Sequence, residues 1–371
     1  MTFPLRKFTD IVQDKSGGNK KLPQEFFLID GRYPVIDQSK KFIAGYINDQ
    51  EYLLKSTDLP VVIFGDHTKA IKFVDFPFAM GADGVKVLKP KDECDTKYLY
   101  HYLRYAKIPD AGYSRHYKFL KELEIPLPPL AEQRRIAAIL DKADELRQKR
   151  SQAIEKLDQL LQATFIDMFG DPVSNPKGWD KVKFENEVEF LTGFAFKSAD
   201  FKDSGIKLCR GINILPNTLD WNDTAYWNIE ELEKYARFKI LQNDILVAMD
   251  RPWISTGFKI TLVKENDPHM LLVQRVARLR VKESFGANFL FQILSMPEFK
   301  KHCRITETTV PHISPTDFKS FELIKPDNHL IEKFEKIAKL IHSQKAKMWN
   351  SSLEYKNLFD SLQNQAFSGT L

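Results

Sequence analysis

The amino-acid sequence is an internal duplication in which each half has a globular stretch followed by an amphipathic helix of about 40 residues. Around the start of each helix, six apolar or proline residues recur 198 residues apart: Leu120, Leu123, Ile125, Pro128, Ile136 and Ile139 align with Phe318, Phe321, Leu323, Pro326, Phe334 and Ile337. Further upstream the spacing decreases to 176, which places about 22 extra residues in loops of the second globular stretch. The sequence therefore predicts an internal pseudo-twofold repeat, although two unrelated heptad helices could also align in this way.

Each long helix is predicted to begin where a proline-containing segment ends. The stretch Ile125-Pro-Leu-Pro-Pro-Leu130 excludes a helix, and Ala131 opens a run of good helix formers. Apolar residues recur every three or four positions along both helices, so each has a stripe that must pack against a partner. The simplest partner of one helix is the other, in an antiparallel pair. The open alternative is that each helix packs into a separate core.

The globular stretches have the pattern of mixed α and β structure. Strand-like runs occupy residues 61–64, 71–74 and 84–88 in the first stretch, with turn residues between them. The second stretch has similar runs at 245–248, 258–263 and 270–273. The predicted fold class is α+β, with two mixed α/β domains joined by two long, antiparallel coiled-coil helices.

Composition narrows the class of protein without identifying it. The 371 residues are 43% apolar and 28% charged, enough for two or three domains. No apolar run approaches the ~20 residues that span a bilayer, and no signal peptide opens the sequence, so a cytoplasmic location is expected. Cys94, Cys209 and Cys303 are scattered, which predicts buried free thiols rather than disulfides or a zinc site. The net charge of +5 is compatible with nucleic-acid binding but does not demonstrate it.

The segment that opens the first long helix resembles a known family. It reads Ile125-Pro-Leu-Pro-Pro-Leu-Ala-Glu-Gln-Arg-Arg-Ile-Ala-Ala-Ile-Leu-Asp-Lys-Ala-Asp144 and is similar to the conserved region of type I restriction-modification specificity subunits. The ending Gln365-Ala-Phe-Ser-Gly-Thr-Leu371 and the repeated order of domain and helix also resemble that family. Gly65-Asp-His-Thr-Lys69 looks like part of a recurring class of its target recognition domains. The second copy departs from the pattern, because Lys325-Pro-Asp-Asn-His-Leu330 replaces the double-proline signature.

The resemblance implies a non-catalytic DNA-reading subunit of a restriction system. Residues 1–125 and 170–325 would be two target recognition domains, and residues 126–169 and 326–371 two conserved spacer helices. Each domain would read one half of an asymmetric, bipartite DNA site, and the helices would set the gap. The implied partners are double-stranded DNA, two methyltransferase subunits and, through these, the restriction and translocation subunits, with no membrane. No cofactor or metal is expected on this chain, because S-adenosylmethionine, ATP and Mg²⁺ would belong to the partner subunits.

The catalytic motifs of such partners are missing from this sequence. An adenine methyltransferase needs an Asn/Asp-Pro-Pro-aromatic loop and a Gly-rich turn for its methyl donor, and an ATPase needs a Gly-x-x-x-x-Gly-Lys-Ser/Thr loop. None of these occurs in the chain. The chain is therefore predicted not to be an enzyme. Two alternatives stay open, a stand-alone DNA-modifying enzyme with a divergent active site and a coiled-coil adaptor that binds proteins.

Candidate DNA contacts are polar turns, because base edges require donors held in fixed positions and phosphates require cations or hydroxyls. Each such turn could instead be an ordinary surface turn, and Trp253 could instead cover a core. No catalytic or metal-binding residue is predicted. The predicted DNA-binding residues are Gly65, His67, Thr68, Lys69, Lys86, Tyr113, Ser114, Arg115, His116, Arg251, Trp253, Ser255, Thr256, Arg275, Thr308, Thr309 and His312.

Overall fold

The structure is a computed structural model that describes residues 3–54, 58–82, 84–112, 114–282, 285–303 and 311–371, with the backbone alone for residues 350–353. It divides into two compact units. The first comprises Met1–Gln152 and Trp349–Leu371, and the second comprises Ala153–Met348. Each long helix contributes residues to both units.

The strands of the first unit form two four-stranded sheets and one two-stranded sheet within the described residues. One sheet is antiparallel throughout, with the order β2-β9-β6-β7, and the other has the order β3-β8-β4-β5 with β8 parallel to both neighbours. All five residues of β6 are buried, as expected for an inner strand covered on both faces. The strands are β1 (Leu5–Lys7), β2 (Val12–Asp14), β3 (Lys21–Leu22), β4 (Tyr33–Ile36), β5 (Gly45–Ile47), β6 (Val61–Gly65), β7 (Ile71–Val74), β8 (Ala79–Gly81), β9 (Val85–Pro90) and β10 (Glu124–Pro126), of which β1 pairs with β10.

The helices of the first unit cover one face of the antiparallel sheet. Asp95 caps the second helix by accepting hydrogen bonds from the N–H groups of Lys97, at 2.9 Å, and Tyr98, at 3.1 Å. The helices are α1 (Phe8–Ile11), α2 (Thr96–Tyr105), α3 (Tyr117–Leu120) and the beginning of α4 (Leu130–Phe169), and the 3₁₀ turns are Gln24–Phe26 and Gln50–Tyr52.

The two long helices pack against each other in the core of the first unit. Ile136 and Leu140 of the first long helix share a hydrophobic cluster with Phe359 and Phe367 of the last helix. The Arg150 guanidinium lies over the Tyr355 ring at 4.5 Å, and that of Arg147 over Phe359 at 5.2 Å. As the residue numbers increase along one helix, those of the residues it contacts on the other helix decrease, so the helices are antiparallel in this unit.

The second unit has the same arrangement of its antiparallel sheet, with the order β12-β23-β18-β21. Its other four-stranded sheet has the order β16-β13-β22-β17, in which only β13 and β22 are parallel. The pairs β11-β24, β14-β15 and β19-β20 are separate ribbons. The strands are β11 (Asp180–Lys183), β12 (Val188–Thr192), β13 (Ile206–Cys209), β14 (Ile214–Leu215), β15 (Thr218–Leu219), β16 (Ala225–Trp227), β17 (Lys239–Ile240), β18 (Ile245–Ala248), β19 (Trp253–Ile254), β20 (Gly257–Phe258), β21 (Ile260–Leu262), β22 (Met270–Leu272), β23 (Val276–Val281) and β24 (Glu322–Lys325).

The helices of the second unit are α5 (Phe184–Glu187), α6 (Ala287–Ser295), α7 (Pro297–His302), α8 (Pro315–Lys319), the end of α4 and the beginning of α9 (Asn328–Ser368). The 3₁₀ segments are Ser198–Asp200, Gly211–Asn213 and Ile229–Phe238. Phe165 of α4 packs edge-on against Phe334 of α9, with ring centroids 5.6 Å apart. Lys345 of α9 forms an ion pair with Asp158 of α4. The two long helices are therefore antiparallel in this unit as well.

Most local predictions from the sequence are confirmed. The fold is mixed α and β, and the first long helix begins at Leu130, directly after the prolines. The predicted strand at residues 258–263 is wrong in one respect, because it is two strands that separate at Lys259. The N–H of Lys259 donates to the carbonyl of Pro252 at 2.7 Å, so β20 pairs with β19 while β21 pairs with β18.

Gln133, the glutamine of the segment at residues 125–144 (the proline-glutamine segment), has a structural role. Gln133 is fully buried, and its side-chain oxygen accepts from the N–H of Asp95 at 2.8 Å. Its side-chain nitrogen donates to the carbonyls of Glu93, at 2.9 Å, and Pro128, at 2.7 Å. Gln133 therefore fastens the start of α4 to the start of α2.

The second unit makes the corresponding connection with a different residue. The position 198 residues after Gln133 is Ile331, which has no donor or acceptor in its side chain. One turn later, Glu335 accepts from the N–H of Phe289 at 2.9 Å and from the side chain of Asn288 at 2.7 Å. The departure from the sequence pattern is thus compensated at the start of α6.

The side-chain chemistry of the described residues agrees with the expectations for thiols. Cys94, Cys209 and Cys303 are free and buried, as predicted. Burial raises the pKa of each of these thiols to about 12.

No group of three or more potential metal ligands occurs within the described ranges. Among the helices of that same part of the chain, none is long and apolar enough to cross a membrane.

Candidate nucleic-acid interface

The turn after β6 in the first unit is held by a neighbouring loop. The side-chain oxygen of Gln38 accepts from the N–H of His67 at 3.2 Å, and the carbonyl of Gln38 accepts a hydrogen bond from the Thr68 hydroxyl. The Thr68 hydroxyl also accepts from the N–H of Ala70 at 3.2 Å. Thr68 therefore uses its hydroxyl inside the turn, which makes it a positioning residue in the free protein.

The glycines around this turn are required by the approach of Gln38. A Cβ on Gly65 would lie 2.7 Å from the Gln38 carbonyl oxygen, and a Cβ on Gly84 would lie 2.6 Å from its side-chain carbon. Gly84 also has φ of +72°, a conformation that L-residues rarely adopt. Gly65 thus has a structural role, since it lets the loop at Gln38 reach the turn.

The predicted segment around His116 meets the same turn. The N–H of His116 donates to the carbonyl of Asp66 at 2.8 Å, and the ring Nδ1 lies 3.0 Å from that oxygen. The buried Asp66 carboxylate accepts from the N–H of Tyr117 at 2.8 Å. His116 is only 1% exposed. Its side chain therefore positions the segment, while neighbouring residues face solvent.

The cations of the first unit differ in how far they are neutralised. Lys69 pairs with Asp110 at 3.4 Å, and Lys86 pairs with Asp14 at 3.0 Å. Hydrogen bonding from the Gly112 N–H, together with the Lys69 ammonium, lowers the pKa of Asp110. Within the described residues, Arg115 is exposed and has no carboxylate within ion-pair distance. Arg115 is therefore the predicted cation that is most available to a phosphate or a base.

Two further predicted residues lie in this segment, Ser114 and Tyr113, and the structure describes only Ser114. The hydroxyl of Ser114 is buried and has no hydrogen-bond partner in the part of the chain that is described. Tyr113 lies outside the described residues.

The second unit brings the equivalent segments together at the end of β18. The N–H of Arg251 donates to the carbonyl of Pro311 at 2.8 Å, and Asp250 forms a β-bridge with His312. Arg275, with φ of +70°, approaches Asp250 at 3.8 Å. Arg251, Arg275 and His312 are thus brought together, and Thr308 and Thr309 lie outside the described residues.

A short β-ribbon extends this site. Trp253 of β19 stacks on Phe258 of β20, with centroids 4.8 Å apart and planes 16° apart, which stiffens the ribbon. Ser255 and Thr256 are exposed at its tip, beside Ile254 at 38% exposure. The half-buried Trp253 thus has a packing role, whereas its two polar neighbours face solvent. Arg251 is exposed and has no ion-pair partner among the described residues.

One loop of the first unit was missed at the sequence level. Lys40 and Lys41 are exposed and have no carboxylate partner among the described residues. They follow Gln38, which contacts the turn at residues 65–69. Phe42 beside them is 45% exposed and packs edge-on against Phe76. Adjacent lysines before an aromatic residue were the available signal, but the link of this loop to residues 65–69 is visible only in three dimensions.

Comparison with known proteins agrees with this arrangement. The family model described as the type I restriction modification DNA specificity domain matches residues 5–156. The MjaVIII specificity subunit of Methanocaldococcus jannaschii is 26% identical over 300 residues, which cover 74% of this chain and 70% of that protein. The EcoBI specificity subunit of Escherichia coli is 23% identical over 361 residues, covering 86% and 75% of the two chains.

A solved structure has the same fold. The crystal structure of the type I restriction-modification S subunit from M. genitalium superposes with a TM-score of 0.62 at 15% identity and covers 99% of this chain and 96% of that one. The matched residues 5–156 include the segment at residues 125–144 that carries the resemblance in sequence. Residues 5–156 thus match the type I restriction modification DNA specificity domain, and the chain is similar over most of its length to type I restriction enzyme specificity subunits.

Proposed function

We propose that this chain selects the DNA sequence on which a type I restriction-modification complex acts. The observation that carries the proposal is the convergence of polar segments in each unit. In the first, the turn at residues 65–69 is bonded through Asp66 to His116. In the second, Arg251 is bonded to Pro311 at the corresponding end of the corresponding strand. Exposed guanidinium groups on turns that the backbone fixes are suited to reading base edges.

We further propose that the chain reads a bipartite, asymmetric site. The two antiparallel sheets have matching strand orders, and the side chains on their reading turns differ, so two different half-sites are expected. The finer fold description that goes with this function is an internal pseudo-twofold repeat with an antiparallel coiled coil. The 198-residue spacing and the antiparallel helix contacts within each unit support it.

The proposed division of the chain follows the same repeat. Residues 1–125 and 170–325 are assigned as target recognition domains, and residues 126–169 and 326–371 as spacer helices that set the gap in the DNA site. The long helices begin at Leu130 and Asn328, close to these boundaries.

The proposed partners supply all the catalysis. Two methyltransferase subunits are expected to bind this chain, and restriction subunits are expected to join through them. S-adenosylmethionine, ATP and Mg²⁺ are assigned to those subunits, and the whole complex to the cytoplasm. The curated relatives support this function over a stand-alone modifying enzyme or a coiled-coil adaptor.

Selection from a random DNA library tests the proposal. The chain would be purified with the methyltransferase encoded beside it and incubated with duplexes that contain a randomised stretch. We expect enrichment of two short fixed blocks at one constant spacing, because two recognition domains of one chain would engage together. Insertion of one base pair into the gap should then abolish specific binding. Enrichment of a single block, or of none, would contradict the bipartite function.

A further inference from the structure

One lysine near the turn at residues 65–69, the reading turn of the first unit, is buried and cannot present its charge to DNA. Lys72 of β7 is only 4% exposed. Its ammonium donates to the carbonyls of Asp37, at 2.8 Å, and Lys41, at 2.6 Å, and lies 3.6 Å from the Asp37 carboxylate. These bonds hold both ends of the loop at residues 37–41. That loop in turn carries Gln38, which holds the reading turn at His67 and Thr68.

The second unit has a related contact, which a lysine at a different position makes to one carbonyl of a loop. The ammonium of Lys259, between β20 and β21, donates to the carbonyl of Gly211. Gly211 lies in the 3₁₀ segment Gly211–Asn213, which follows β13 just as the loop at 37–41 follows β4. Lys72 pairs with Ile63, and the residue of β18 on the same face of its sheet as Ile63 is Leu246, which pairs with Thr261. Lys259 therefore lies two residues before the position that corresponds to Lys72. Each unit therefore holds its own copy of this loop with a lysine, and the two lysines occupy non-equivalent positions.

Each of these two loops presents side chains to solvent beside the reading turn of its own unit. The reading turn is residues 65–69 in the first unit and residues 250–256 in the second. Lys40 and Lys41 are exposed in the first unit, and Ile212 is 57% exposed in the second. The Asp37 carboxylate is occupied by Ser39, whose N–H donates to it at 2.9 Å and whose hydroxyl donates to it at 2.6 Å. The shape of the first loop is thus fixed internally, while its two lysines stay available to phosphates.

Building on the proposed DNA-reading function, we propose that the loops at residues 37–41 and 210–213 are additional DNA-contacting segments, and that Lys72 and Lys259 are positioning residues that fix them against the reading turns. Each ammonium acts through backbone carbonyls and touches no DNA. Its removal loosens the contact between that loop and the reading turn, and it removes no side chain that binds a phosphate. The expected consequence is weaker discrimination between sequences, confined to the half-site that the unit reads.

The test uses the full chain in complex with its methyltransferase subunit, on the site that library selection defines. The variants Lys72→Met and Lys259→Met keep an unbranched side chain of similar length. Lys89→Met is the matched control, because the Lys89 ammonium also bonds two backbone carbonyls, those of Leu59 at 3.3 Å and Pro60 at 3.2 Å. Lys89 lies toward the opposite end of β9 from the reading turn, since Val85 is the residue that pairs with Gly65.

The measurements are the ratio of cognate to single-base-variant affinity for each half-site, and the slope of log affinity against log salt. Lys72→Met should lower the ratio roughly tenfold at one half-site, and Lys259→Met roughly tenfold at the other. The salt slope should stay unchanged, because both variants keep every side chain that binds a phosphate. The Lys89→Met control should keep both the ratio and the slope of the wild type.

Two results would overturn the inference. A uniform decrease in affinity with a shallower salt slope would mean that these lysines bind phosphates themselves. Unchanged ratios in variants that still unfold cooperatively would remove the loops from the reading surface.

A companion variant tests the first loop directly. Replacing both exposed lysines together, Lys40→Gln with Lys41→Gln, should make the salt slope shallower by about 0.9 for each phosphate that the loop no longer binds. An unchanged slope would refute binding of this loop to DNA. Failure of the wild-type complex to select any sequence would instead refute the proposed function itself.

Discussion

The carbonyl oxygen of Asp66 receives two hydrogen bonds from one residue, His116, whose N–H lies 2.8 Å away and whose ring Nδ1 lies 3.0 Å away. A carbonyl can only accept, so the ring carries its proton on Nδ1. The two residues are 50 positions apart in sequence, and this pairing makes one surface of the turn at residues 65–69 and the segment at 114–117. His116 thus holds Arg115 next to the turn at residues 65–69.

Three cations of the candidate interfaces should affect DNA binding differently when they are replaced. Arg115→Ala and Arg251→Ala should each cost roughly 1–3 kcal/mol of binding free energy and relax one base position, because their guanidinium groups are exposed and unpaired among the described residues. Lys69→Ala should weaken binding to all sequences alike and flatten the salt slope. Affinities for a panel of single-base variants, each over a salt series, distinguish these outcomes. Uniform weakening in all three variants would show that neither arginine reads a base.

The buried glutamine at the start of α4 should contribute to stability. Gln133→Ala removes three hydrogen bonds and leaves the N–H of Asp95 and two carbonyls without their partner, so the free energy of unfolding should fall by roughly 1–3 kcal/mol. Arg134→Ala is the control, since the Arg134 side chain is 71% exposed. Denaturant titration of both variants measures the difference. Equal stability of the two would mean that Gln133 does not join α4 to α2 in solution.

Much of the fold could be predicted from sequence because it depends on local patterns. Pro128 and Pro129 end an extended segment, and the helix α4 begins directly after them at Leu130. Strands such as β6 and β18 are short runs of mostly apolar residues. The contact between the loop at Gln38 and the turn at residues 65–69 could not be predicted, because it depends on a hydrogen bond between residues far apart in sequence, Gln38 and Thr68. Likewise, sequence alone could not separate exposed Arg115 from buried His116, its immediate neighbour.

The antiparallel packing of the long helices can be tested by chemistry. Lys345 and Asp158 form an ion pair within the second unit, so a zero-length carbodiimide cross-linker should join them by an amide bond. Mass spectrometry of the digested protein detects the joined peptides. Lys345→Gln should remove that product and leave other cross-links in place. Cross-links from Asp158 to lysines near the end of α9 would instead indicate a parallel pairing.

The second unit should lose stability as the pH falls below neutrality. Burial first, then the charges of Lys345 and Lys264, lower the pKa of His342 from its ordinary 6.5 to about 4. The neutral ring bonds the side-chain oxygen of Asn288 at 2.9 Å. The folded pKa is below the unfolded one, so the contribution of His342 to stability is fully present above pH 6.5 and is lost as the pH falls toward 4.

The size of this effect is bounded by the shift and is about 3 kcal/mol at most. His342→Gln keeps a donor for Asn288 but does not titrate. The difference in unfolding free energy between the wild type and this variant should therefore decrease as the pH falls from near neutrality to the folded pKa of about 4. A difference that is constant over this range would show that His342 does not titrate with folding.

The central claim is that this chain directs where a partner enzyme modifies DNA. Sequencing of methylated bases in cells that express the chain, the neighbouring methyltransferase gene, or both tests it most directly. We expect new adenine methylation on both strands of one asymmetric, gapped motif only when both genes are expressed. Methylation by the chain alone would make it an enzyme, and methylation of the same motif by the methyltransferase alone would show that this chain does not specify the site.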